Sequence, residues 1–71
     1  MGFNLFEKVR VKENTSFDER KVVIRRGEIG IVVDIFKSLV NPNKIGYIVE
    51  FPERLEADPT FIFEEDQLEK I

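Results

Sequence analysis

The residues able to do chemistry are few and poorly assembled. Thr15, Ser16, Ser38 and Thr60 supply aliphatic hydroxyls, but the chain has no histidine and no cysteine. A hydroxyl at its free pKa is a weak nucleophile and needs an adjacent base. The commonest such base, which is also the commonest zinc ligand, is missing. Carboxylates are the alternative. Glu64, Glu65, Asp66 and Glu69 crowd into "EEDQLE", where paired acids could exchange protons or hold a hard cation. The run lacks the alternating Asp/Asn and central Gly of a calcium loop, and a very small β domain has no room for an internal cleft beside it. It reads as a solvated acidic turn. The expectation is a non-enzymatic chain with no catalytic, cofactor-binding or metal-binding residues.

Two other groups of side chains suit binding. Lys8, Arg10 and Lys12 alternate along "LFEKVRVK", and Arg25 and Arg26 precede the first glycine of "RRGEIG". With Arg20 and Lys21 they form one positive patch if strand and turn are neighbours, and such a patch could hold a phosphate backbone. Glu7, Glu13, Asp18, Glu19 and Glu28 dilute it. Basic side chains on an edge strand also serve simply to block edge-to-edge pairing.

The other group is apolar and acidic: Asp34 and Phe36 in "IVVDIF", Ile48 and Glu50 in "GYIVEF", Ile62 and Glu64 in "FIFE". Alternation places them, with Val32, opposite an expected core face of Ile31, Val33, Ile35, Tyr47, Val49, Phe51, Phe61 and Phe63. An apolar stripe fringed by carboxylates suits a protein partner, and a basic one. Two plainer outcomes compete with it. A bulge after Gly30 would turn Val32 into the core, or the loop over residues 37–44, with Leu39 and Val40, would fold across the stripe.

These side chains need strands to hold them. The chain has 71 residues, which makes a single domain over residues 1–71. A domain this small buries only about 60% of the surface its unfolded chain exposes. Without disulfides, its core must come from aliphatic residues and seven Phe. The net charge of −3 is unevenly spread: residues 1–37 carry eight basic and six acidic side chains, residues 38–71 three and eight. That balance disfavours a general nucleic-acid binder. No apolar run approaches the ~20 residues of a membrane span, and "MGFNLFEKVR" lacks the pattern of a signal peptide. Phe6 stands where a myristoylation site requires Ser or Thr. A cytoplasmic protein is expected, without a membrane partner.

Residues 5–12 alternate as a strand, and residues 13–21 are polar and read as a loop, with "SFDE" matching a capping box of Ser16 and Glu19. "KVVI" is a short extended piece. Gly27 and Gly30 then mark a turn or bulge that redirects the chain into "IVVDIF". "KSLVNPNK" reads as a hairpin loop, "IGYIVEF" as a strand, "PERLEADP" as a second loop and "TFIFE" as a strand. A single helical turn falls near residues 64–67, and Leu68 to Ile71 close the chain. Five short strands with no convincing helix predict a small all-β, five-stranded barrel.

"VRVKE", "RRGEIGIVVDIF", "GYIVEF" and "FIFEEDQLEKI" together resemble the SH3-like barrels, and more narrowly the small stand-alone bacterial SH3-like proteins related to KOW and tudor modules. The matching positions are Gly27, Gly30 and Val32, then Tyr47, Val49 and Phe51, then Glu64 to Leu68. The resemblance implies the barrel fold. It leaves function open, because such barrels bind proline-rich peptides, methylated side chains or RNA, and some small members act as immunity or inhibitor proteins. This chain has no tryptophan and a single tyrosine, which argues against a proline-rich groove or an aromatic cage. The resulting expectation is a module that binds a basic protein through the acidic and apolar face, as an inhibitor or immunity protein does. The alternatives are an accessory KOW-like nucleic-acid module using Lys8, Arg10, Lys12, Arg25 and Arg26, and a small regulatory subunit of a larger enzyme.

Overall fold

The computed structural model describes residues 2–37, 39 and 43–71. Every alternating apolar segment of the sequence becomes a strand. β1 (Lys8–Val11), β4 (Ile29–Lys37), β5 (Ile45–Glu50), β6 (Thr60–Glu64) and β7 (Leu68–Lys70) form one antiparallel sheet in the order β6-β5-β4-β1-β7. β2 (Thr15–Phe17) and β3 (Val22–Ile24) make a separate antiparallel hairpin. The molecule is all-β. Among the described residues β6 and β7 are the edges of the larger sheet and are not paired with each other. The expected helical turn is a single 3-10 turn, Glu65–Gln67, closed reciprocally by the side chains of Glu64 and Gln67.

The core lies on one face of the sheet. Val9, Val11, Ile24, Val32, Tyr47, Val49, Phe51, Phe61, Phe63 and Leu68 are buried there. The β2–β3 hairpin covers this face. Phe17 packs with ring centroids 4.9 Å from Phe61 and 5.4 Å from Phe63, and Phe51 meets the same two rings at 6.1 and 5.9 Å. Tilted and edge-on aromatic pairs of this kind add to the burial itself.

Several expectations need correction. Residues 13–21 are not merely a loop: β2 and a 3-10 turn, Asp18–Arg20, occupy them. The Ser16–Glu19 capping box does not form. Phe17 precedes the turn without a side-chain cap, because Ser16 is already committed to the ladder opposite Val23. β1 begins only at Lys8, since Phe6 takes a left-handed backbone (φ 66°) and leaves Leu5 exposed.

The opening of β4 is also reversed. Val32 is fully buried, while Ile31 and Val33 are only half-buried. The β4–β5 register shifts between Val32 and Asp34, so Val33 is an extra, bulged residue. Before it Gly30 and Val32 face inward; after it Ile35 does. Gly27 has the positive φ (92°) of a turn glycine. Gly30 does not. It is buried where a Cβ would stand 2.5 Å from Val49 Cγ1 and 2.8 Å from the Glu50 carbonyl oxygen. Space, rather than backbone conformation, demands glycine there.

Candidate functional site

The ladder sets the outer face of the sheet in rows. Asp34, Ile48 and Ile62 stand side by side across β4, β5 and β6. The next row runs Lys8, Ile31, Glu50, Thr60 from β1 to β6. On the far side Phe36 and Glu64 flank Gly46, and the Phe36 ring lies so close over Gly46 that a Cβ would meet it at 2.5 Å. Asp34, Phe36, Ile48, Glu50, Ile62 and Glu64 therefore do share one face. Val32 does not join them. Sequence reasoning missed Ile29 and Ile31, which the bulge places on this side. Ile29 is 50% and Ile62 57% exposed. Leu39 stands free in solvent and does not cover the stripe. Val40, the other residue expected to cover it, lies outside the described residues.

The charges of this face differ in how they are engaged. Glu64 pairs with Lys44 at 3.4 Å. Arg10 pairs with Glu69 at 3.2 Å. Asp34 accepts the Ile35 N–H at 2.8 Å. Among the described residues, no ion pair engages Glu50 or Lys8.

The basic group is only partly assembled. Gly27 N–H donates to the Val11 carbonyl at 2.8 Å and Val11 N–H to the Glu28 carbonyl at 2.9 Å, so the turn does lie against the end of β1. Arg10, Lys12 and Arg26 line one shallow depression there, with Glu13 and Glu69. Arg20 is elsewhere. Its guanidinium sits 4.0 Å above the Phe61 ring and donates to the carbonyls of Asp58 and Thr60. It fastens the β2–β3 hairpin to the edge of the sheet.

No catalytic grouping emerges among the described residues. Thr60 Oγ1 donates to Asp58 Oδ1 at 2.6 Å and Thr15 Oγ1 to the Glu13 carbonyl at 3.0 Å. Ser38 lies outside the described residues. Among the described residues, no three carboxylates are grouped so that they could hold a metal ion.

A network unforeseen in the sequence fixes the loop after β5. Arg54 donates to both oxygens of Glu28 (2.8 and 2.9 Å) and to Glu56 Oε1 (2.7 and 2.9 Å). The hydrogen bonds from Arg54 hold Glu56 below the usual carboxylate range, and in turn raise the Arg54 pKa, with Glu56 the larger cause and Glu28 the lesser. The Thr60 hydroxyl and N–H lower Asp58 likewise. No local pattern links residues 26 apart, so only the folded turn reveals the Arg54–Glu28 pair.

No family model matches this chain, and no curated protein or solved structure shows significant similarity to it. Among the described residues, no helix is long and apolar enough to cross a membrane.

Proposed function

We propose that this chain is a non-enzymatic, cytoplasmic protein-binding module, an SH3-like barrel whose outer sheet face docks a basic surface of another protein in the manner of an inhibitor or immunity protein. The strand order, the β4 bulge and the 3-10 turn before β7 support the barrel reading, because a bulge bends a strand and increases its twist. The observation that carries the function is the pair of adjacent rows Asp34–Ile48–Ile62 and Ile31–Glu50–Thr60. They place isoleucines, Ile62 exposed and Ile31 and Ile48 half-buried, among carboxylates on the outer β surface, which is the anatomy of an apolar centre with a polar rim.

The test begins with affinity capture of a partner from the native host, followed by surface-binding kinetics on the purified pair. Glu50→Lys should slow association, since complementary charge steers encounter. Ile48→Asp should mainly speed dissociation by removing an apolar anchor. Circular dichroism confirms folding. Wild-type kinetics in both folded variants would move the working surface elsewhere.

A second reading has one observation in its favour. The contact between the Gly27 turn and the end of β1 brings Lys12 and Arg26 together, as an accessory nucleic-acid module requires. Duplex DNA binding through them would show a log–log salt slope near −0.9 per phosphate neutralised, and Arg25→Ala with Arg26→Ala would abolish it.

A further inference from the structure

Among the described residues the outer face carries three charges that no ion pair engages, Lys8, Asp34 and Glu50, and of these Lys8 and Glu50 are of opposite sign in fixed relation. Lys8 and Glu50 belong to the same cross-strand row and flank Ile31 on either side, one strand away in each direction. Neighbouring strands are about 4.8 Å apart, so each charge stands one strand spacing from the line of β4. Of the other ionic side chains on this face, Arg10 and Glu64 are already paired within the chain, and Asp34 accepts the Ile35 N–H. Lys8 and Glu50 form no ion pair among the described residues, with each other or otherwise. Between and around them the face is isoleucine: Ile29, Ile31, Ile48 and Ile62, two of them half-exposed or more.

Such an arrangement is self-complementary. A two-fold axis along β4, in the plane between two copies, lays the β1 side of one sheet over the β5 side of the other. Lys8 of each copy then stands opposite Glu50 of its mate, and Ile31 and Ile29 meet their own counterparts at the centre. Packed sheets lie about 10 Å apart with strands roughly aligned, a gap that isoleucine side chains fill and that a lysine and a glutamate can bridge. An isologous interface requires one patch to match itself. A face that served only a basic partner would have no use for Lys8 at this position. We infer that the outer face docks a second copy of this chain, in a symmetric dimer held by reciprocal Lys8–Glu50 pairs around an isoleucine centre. The inference rests on the reading of this face as a docking surface and names its occupant when no basic partner is present. The same axis brings the two Asp34 side chains toward each other, so Asp34 opposes the dimer.

Sedimentation equilibrium of the full chain over a wide concentration range is the test. The wild type should dimerise reversibly. Glu50→Lys and Lys8→Glu, each alone, should weaken association by at least about tenfold, because like charges then face each other. An equimolar mixture of the two variants should dimerise as the wild type does, and so should the Lys8→Glu/Glu50→Lys double variant, in which the pair is inverted. Asp34→Asn should tighten association. Circular dichroism checks that each variant is folded. A wild type that stays monomeric, or a dimer that the single reversals leave intact, overturns the inference. So does a mixture that fails to pair. A monomeric wild type that still binds a basic partner through Glu50 overturns self-docking alone and leaves the proposed function standing. A dimer with no basic partner does the opposite.

Discussion

Ile48 and Val49 are consecutive, equally apolar and part of the same strand, yet they meet opposite fates. Val49 is fully buried beneath the β2–β3 hairpin, while Ile48 is only half-buried on the outer face. Ile62 and Phe63 repeat the contrast one strand away, at 57% and 0% exposure. What separates the faces is not hydrophobicity but cover and volume. The inner face holds the interlocking rings of Phe51, Phe61 and Phe63 with Phe17 above them. The outer face holds isoleucines interspersed with charge. A fold that needed only one core would be served as well by polar residues at Ile48 and Ile62, so their presence calls for a use.

The strongest way to break this comparison is to truncate both faces at adjacent positions. Phe63→Ala should cost about 3–5 kcal/mol, as loss of a buried aromatic typically does. That is a large share of the 5–15 kcal/mol that ordinarily holds a domain together. Ile62→Ala should change stability by about 0.5 kcal/mol or less. Urea unfolding of both variants decides the matter, and equal losses would mean the outer face is a second core.

Gly30→Val probes the inner face from its thinnest point. The added side chain would collide with Val49 and the Glu50 carbonyl, and overpacking of this kind costs typically about 1–3 kcal/mol. Gly30→Ala should also destabilise, because even its Cβ has no room. A neutral Gly30→Ala in thermal melts would show that β5 can retreat.

The bulge explains both what the sequence disclosed and what it withheld. The strands other than β2, the aromatic core of β5 and β6, and the turn at residues 65–67 were legible, because period-2 alternation and a polar acidic run are local signals. The inward face of β4 was not. "GIVVDIF" is apolar at nearly every position, so alternation cannot choose a face, and a one-residue slip reverses every side chain. The candidate face was legible where β5 and β6 alternate cleanly, and misjudged at Ile31 and Val32. The Arg54 network was invisible, since its partner Glu28 is fixed only by the turn beside β1.

A deletion tests the bulge directly. Val32 pairs with Val49 and Asp34 with Ile48, so removing Val33 restores a regular ladder and leaves both faces intact. Deleting Val33 should cost only about 1 kcal/mol, in the range of an ordinary substitution. A deletion variant that no longer folds in thermal melts would mean that the extra residue is itself needed to set the register.

The smallest effect belongs to the loop that joins β5 to β6. Arg54 holds Glu56 below the ordinary carboxylate range, and Thr60 does the same for Asp58. A carboxyl whose pKa is lower folded than unfolded binds fewer protons in the native state. Its stabilisation is therefore present above the unfolded pKa and disappears as pH falls through the folded one. Both side chains are reached by solvent, where ion pairs contribute little, so the expected change is slight. Melting temperatures measured from neutral pH down to about pH 3, which spans ordinary carboxylate titration, provide the reading. Glu56→Gln and Asp58→Asn should melt slightly below the wild type at neutral pH, and the curves should converge in acid. Phe63→Ala offers the contrast from the inner face. It removes packing and no titrating group, so its curve should lie well below the wild type at every pH and keep the same shape. Variants of the loop that run parallel to the wild type throughout would show that Arg54 fastens the loop without linking it to pH.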